Sequence, residues 1–131
     1  MANKILTGEG WEKRVRSKLG VSEPYLSDDD IRQPDVISVS EATIIKQVPD
    51  YESFEGDDKT YLEAAVVCAC AALLCPSMPA RLPNKEAGPH ESHSLYTDWN
   101  KLKIELEVER DGYIGSISTV SFPDLLHFRI T

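Results

Sequence analysis

The chain has 131 residues, a formal net charge of −8, 41% hydrophobic and 27% charged residues. That length makes one domain, able to bury about two-thirds of its unfolded surface in a single core. The negative charge argues against non-specific nucleic-acid binding, which draws its affinity from lysine and arginine on phosphates. Met1–Arg14 has no apolar stretch of the kind a secretory signal needs. The longest apolar run, Ala64–Cys75, is twelve residues, shorter than a bilayer span.

The charge is uneven, +3 over residues 1–20 and −8 over residues 21–60. In the first segment Trp11, Val15 and Leu19 repeat at helical spacing. Lys13, Arg14, Arg16 and Lys18 fill the other positions, and Gly20 offers a left-handed stop. Ser27 is an expected N-cap for a short acidic turn, Asp28-Asp29-Asp30, with Ile31 as its one apolar anchor. Pro34 suits the first turn of a second helix. Its apolar stripe is Val36, Ile37, Ala42, Ile44, Ile45 and Val48, with Glu41 and Lys46 expected outward and Pro49-Asp50 as the end.

Tyr51–Asp58 reads as a loop. From Asp57 or Asp58 a third helix follows that is apolar all round, the mark of a helix covered on every side. Its alanines let neighbours approach closely. Cys68, Cys70 and Cys75 are expected as buried free thiols, because Cys68 and Cys70 diverge by about 200° on a helix and cannot share a metal ion. Pro76 is expected to stop this helix. Residues 76–94 hold Pro76, Pro79, Pro83, Gly88 and Pro89 and read as a long loop. A fourth helix, capped by Ser92 or Ser94, carries Leu95, Trp99, Leu102 and Leu106. Ile104 and Val108 widen its stripe, and Asp111-Gly112 ends it. Beyond it, Ile117–Val120 favours extended structure, and Phe122, Leu125, Leu126, Phe128 and Ile130 are too apolar for an idle tail. The tail would either pair with its own bundle or dock on another chain by strand addition. The expected architecture is all-α: a four-to-five-helix bundle over residues 1–117, with a long Pro-rich loop, and an extended C-terminal arm over residues 118–131.

Chemistry-bearing motifs are scarce. Phosphate-loop, dinucleotide, zinc-protease and nucleophile-elbow patterns do not occur. His90-Glu91-Ser92-His93 is the one ligand-like cluster, and it sits in a polar, proline-rich stretch. Adjacent aspartates at a helix start diverge, so Asp28-Asp29-Asp30 reads as a first-turn cap rather than a Mg²⁺ site. No catalytic, cofactor-binding or metal-binding residue is assigned. The candidate partner contacts are Arg81, Lys85, Phe122, Leu125, Leu126, Phe128 and Ile130.

From Ser27 to Ile117 the order of short runs resembles the head–tail connector (adaptor, head-completion) proteins of long-tailed bacteriophages. The runs are Ser27-Asp-Asp-Asp-Ile31, Ser40-Glu-Ala-Thr-Ile44, Val48-Pro-Asp50, Tyr61-Leu-Glu-Ala-Ala65, Cys70-Ala-Ala-Leu-Leu-Cys-Pro76, Ser77-Met-Pro-Ala-Arg-Leu-Pro83 and Asp98-Trp99. The first twenty residues and the C-terminal arm lie outside the pattern. The resemblance implies a helical bundle without enzymatic activity or cofactor, located in the virion neck after synthesis in the host cytoplasm. It further implies a ring of copies, a dodecamer on the portal protein, contacting the next neck, stopper or tail-terminator protein. Double-stranded DNA would pass through the lumen without being read, and no membrane is involved. In that setting the basic first helix would meet an acidic patch of a neighbouring subunit, the Pro-rich loop would project toward the next ring, and the arm would extend onto the portal. Two other classes compete on the residues alone: a small metal-dependent enzyme using His90, Glu91, His93 and an aspartate, and a cytoplasmic regulator binding a protein through its acidic helix-two region.

Overall fold

The structure, a computed structural model, describes residues 3–82 and 98–117, and all regular structure in them is helical. Helix α1 spans Trp11–Leu19, α2 Asp28–Ile31, α3 Ile37–Gln47, α4 Gly56–Leu74, α5 Met78–Arg81 and α6 Trp99–Ser116. Single 3₁₀ turns cover Glu23–Tyr25, Tyr51–Ser53 and Cys75–Ser77.

The ends of these helices follow local chemistry. Gly20 has φ +70°, and the Gly20 and Val21 N–H groups donate to the Ser17 and Arg16 carbonyls, which closes α1 without a Cβ clash. Ser27 Oγ accepts from the Asp30 N–H at 3.2 Å and starts α2. Asp98 Oδ1 accepts from the Lys101 N–H at 2.9 Å and starts α6. The expected caps Ser92 and Ser94 lie outside the described residues, as do Leu95 and most of the Pro-rich loop.

Helix α4 is the axis of the bundle, as its all-round apolar pattern anticipated. Leu62, Ala65–Ala72, Leu74 and Cys75 are buried, whereas Leu73 opens to solvent. Helix α6 runs antiparallel along one side of α4. Tyr113 stacks on Tyr61 with ring centroids 6.2 Å apart, and Lys103 and Glu107 lie beside Cys75 near the other end. Helix α3 covers a different side, where the Cys70 thiol approaches the Val36 carbonyl at 3.9 Å. The short connection from α3 to α4 makes these two antiparallel as well. The 200° between Cys68 and Cys70 thus separates an α6-facing side of α4 from an α3-facing side.

Several boundaries differ from the sequence reading. Pro76 does not end the helical run. The chain tightens into a 3₁₀ turn and continues as α5, because Pro76 and Pro79 fall in first-turn positions where no N–H is needed. The run from Gly56 to Arg81 is long and apolar enough, by length and composition alone, to cross a membrane, but 67% of its most apolar window is buried inside the bundle. Helix α6 continues through Gly112 to Ser116, since Tyr113 and Ile114 still find partners on α4. Packing there outweighs glycine's roughly 1 kcal/mol helix penalty. Ile117 is buried and donates its N–H to the Ile114 carbonyl; residues 118–131, expected as an extended arm, lie outside the described residues.

Glu41 is the clearest reversal. Expected outward, it is 4% exposed. Its carboxylate accepts from three consecutive backbone N–H groups, Lys4 at 2.9 Å, Ile5 at 2.7 Å and Leu6 at 3.0 Å. A buried carboxylate is tolerated because charge-assisted hydrogen bonds replace its water. The result is a latch that holds the N-terminal segment against α3 and places Ile5 and Leu6 in the core.

Candidate functional site

Four of the five charged side chains of α1, Glu12, Arg14, Arg16 and Lys18, are joints within the chain. Arg14 Nη1 meets Glu63 Oε1 of α4 at 3.5 Å. Arg16 Nη1 donates to Asp28 Oδ1 at 2.6 Å and to the Leu26 carbonyl at 3.2 Å. Lys18 donates to Glu109 of α6, and its ammonium lies 5.9 Å from the Tyr113 ring centroid. The Tyr113 hydroxyl donates to the same Glu109 oxygen at 3.0 Å. The Lys18 hydrogen bond holds the Glu109 carboxyl below its usual range, while Glu109 pushes the Lys18 ammonium and the Tyr113 hydroxyl up.

The three aspartates diverge. Asp28 takes Arg16 and stands 3.7 Å from Arg32, Asp30 takes Arg81 Nη1 at 2.6 Å, and Arg32 Nε donates to buried Glu12 at 2.6 Å. Arg81, a candidate partner contact, also donates from Nε to Ser77 Oγ at 2.9 Å, so it ties α5 to α2. Lys85, Phe122, Leu125, Leu126, Phe128 and Ile130 lie outside the described residues, and so do His90, Glu91 and His93.

Cys68, Cys70 and Cys75 are free and buried. Burial pushes their thiols up to about 11, about 12 and about 11. A thiol must ionise to attack or to bind metal, so these three are poor nucleophiles and ligands near neutral pH. Among the described residues no group of three or more His, Cys, Asp or Glu side chains is arranged to hold a metal ion.

A cleft of about 260 Å³ opens between the latched N-terminal segment and the start of α4. Ile5, Phe54 and Leu62 form its apolar floor, and Lys4, Lys59, Tyr51 and Glu52 stand around it. Thr7 completes its lining.

The remaining chemistry is on outer helix faces. On α6, Ile104 is 53% and Val108 67% exposed, one turn apart and turned away from α4. The sequence pattern assigned both to the buried stripe. They instead stand opposite the core face of Trp99, Leu102, Leu106 and Tyr113, flanked by exposed Lys101 and Asp111. On α3, Val39 is 45% exposed, with Ala42 and Thr43 beside it and exposed Asp35 and Lys46 at the ends.

No protein-family model, curated protein or solved structure matches this chain. The geometry therefore stands alone. Among the described residues the buried carboxylates Glu12 and Glu41 are paired, the buried Ser40 Oγ has no hydrogen-bond partner, and Val39, Ile104 and Val108 stand exposed.

Proposed function

We propose that this chain is a structural connector of a bacteriophage head–tail junction, assembling as a ring beneath the portal and continuing the DNA channel toward the tail. The observation that carries the reading is the ordered set of short runs from Ser27 to Asp98-Trp99. The roles those runs take in the fold support it. Ser27–Ile31 caps and cross-links, Ser40–Ile44 supplies the Glu41 latch, and Tyr61–Ala65 with Cys70–Pro76 makes the close-packed axis. These are duties of a scaffold, with apolar side chains left on its outside.

A net charge of −8 suits a conduit, because a basic wall would hold the genome back by phosphate contacts. In the basic first helix Arg14, Arg16 and Lys18 are paired inside the chain and Lys13 stands exposed, which favours a contact between subunits elsewhere.

The test is to mix purified protein with cognate portal and image the product by electron microscopy. A ring of copies, twelve on a dodecameric portal, is expected at the portal's narrow end. Protein that never binds portal would overturn the reading. Removing residues 118–131 should abolish docking and leave the helical circular-dichroism signal intact.

A further inference from the structure

We infer that a second copy of this chain docks head-to-tail, with the outer face of its α3 laid parallel along the outer face of α6. The inference names the self-contact of the ring proposed above and rests on that reading for its setting.

Placement comes first. Cys70, on one side of α4, touches Val36 and lies beside Ser40 and Glu41 of α3. Cys68, half a helical turn away, lies beside Glu109 of α6. One level of α4 therefore sits between the first turns of α3 and the middle of α6. Val39 and Val108 stand at about that level on different sides of the molecule, and Ile104 stands one turn from Val108 toward the Cys75 end of α4. Both helices run antiparallel to α4, so they run parallel to each other. A copy displaced sideways with little rotation, and shifted by about one helical turn along the axis, brings the Val39 face of its α3 onto the Ile104 face of α6 without inverting it.

Register comes second. Placing Val39 against Ile104 in parallel sets Ala42 and Thr43 against Val108, Lys46 against Asp111, and Asp35 within one residue of Lys101. The apolar side chains meet in the middle, and opposite charges meet at both ends. All nine side chains are exposed in the single chain. Asp111 also pairs with Arg110 Nε at 2.9 Å but remains 59% exposed, open to a second cation. The inverted register fails on charge: with Val39 against Val108, Lys46 falls on Lys101. A two-fold α6–α6 pairing would match Ile104 with Val108 and Lys101 with Asp111, but it gathers Glu105 and Glu107 of both copies around its axis and leaves Val39 bare. Two different faces of one molecule that fit each other make a heterologous contact, which closes into a ring or runs on as a filament.

The experiment uses the full chain without portal, at about 1 mM, with Val39→Cys and Ile104→Cys together and a short bismaleimide. The native thiols are buried and protonated, so they stay out of the reaction. A ladder of dimers, trimers and higher species is expected from the double variant, and monomers from each single variant. Lys46→Glu should weaken self-association about tenfold, and adding Asp111→Lys should restore it. A dimer from Ile104→Cys alone, or a double variant that stays monomeric in the gel and by light scattering, overturns the inference. Portal binding is read separately. A ladder without portal binding keeps this contact and removes the connector reading; portal-bound rings that do not cross-link do the reverse.

Discussion

The two sides of α4 are held by different physics. Toward α6, apolar packing of Leu106, Ile114 and Ile117 is bordered by an ion pair and an aromatic stack at the water line, Lys18–Glu109 with Tyr113 on Tyr61. Toward α3, a carboxylate is buried outright and satisfied by three backbone N–H groups. A border charge can exchange its partner for water at little cost. A buried one has no substitute, and the donors it leaves behind have none either. The α3 side should therefore fail sharply when its polar group is altered, and the α6 side should fail only when its apolar packing is altered.

The largest effect bears on both sides together. The three thiols titrate near 9.0 when exposed and at about 11, 12 and 11 when folded. Between those values the folded chain holds more protons than the unfolded one, so stability falls as pH rises through 9. From pH 7 to 10 the loss should reach about 4 kcal/mol by urea denaturation, and replacing all three cysteines by alanine should flatten the slope. On the native protein, Cys68 should alkylate before Cys70 as pH climbs; the opposite order would reverse the burial assigned to the two sides.

Next comes Glu41→Ala, which orphans three N–H donors and should cost about 4 kcal/mol, with Glu41→Gln losing roughly half as much. A change within about 1 kcal/mol would show that the N-terminal segment is not latched. Leu106→Ala, on the other side, should cost about 3 kcal/mol by leaving a cavity. Glu109→Gln should cost less than about 1 kcal/mol, since the pair sits at the water line. Because the Glu109 carboxyl lies below 4.5 in the folded chain, its small contribution is present above that pH and disappears as pH falls through the folded value. A Glu109→Gln loss as large as that of Glu41→Ala would erase the contrast.

Much of this was legible in the residues. Trp11, Val15 and Leu19 marked α1, Gly20 its end, and Ser27 the start of α2, because capping and periodicity are local. The central helix announced its burial by being apolar all round. Glu41 was misread because charge alone says outward; its three donors lie 35 to 37 residues away, beyond any local pattern. Ile5 and Leu6 were passed over for the same reason, as no periodicity accompanies them. Ile104 and Val108 were misplaced because α6 carries apolar residues at the back as well as the front, so a period of 3.6 alone does not tell which face meets α4. On the candidate surface, only the residue types could be read beforehand. The alignment of Val39 with Ile104 needed the two helices set on opposite sides of a third.

The sequence by itself determined an acidic, all-α bundle around a small-residue axis, because helix formation, capping and burial preference act over neighbouring residues. Only the tertiary structure decided where the charges close on one another, that the helical run continues past Pro76 into α5 and α6 past Gly112, and which apolar side chains stay outside. Those outcomes depend on the partners that long-range packing brings together, and no stretch of sequence contains its own partner.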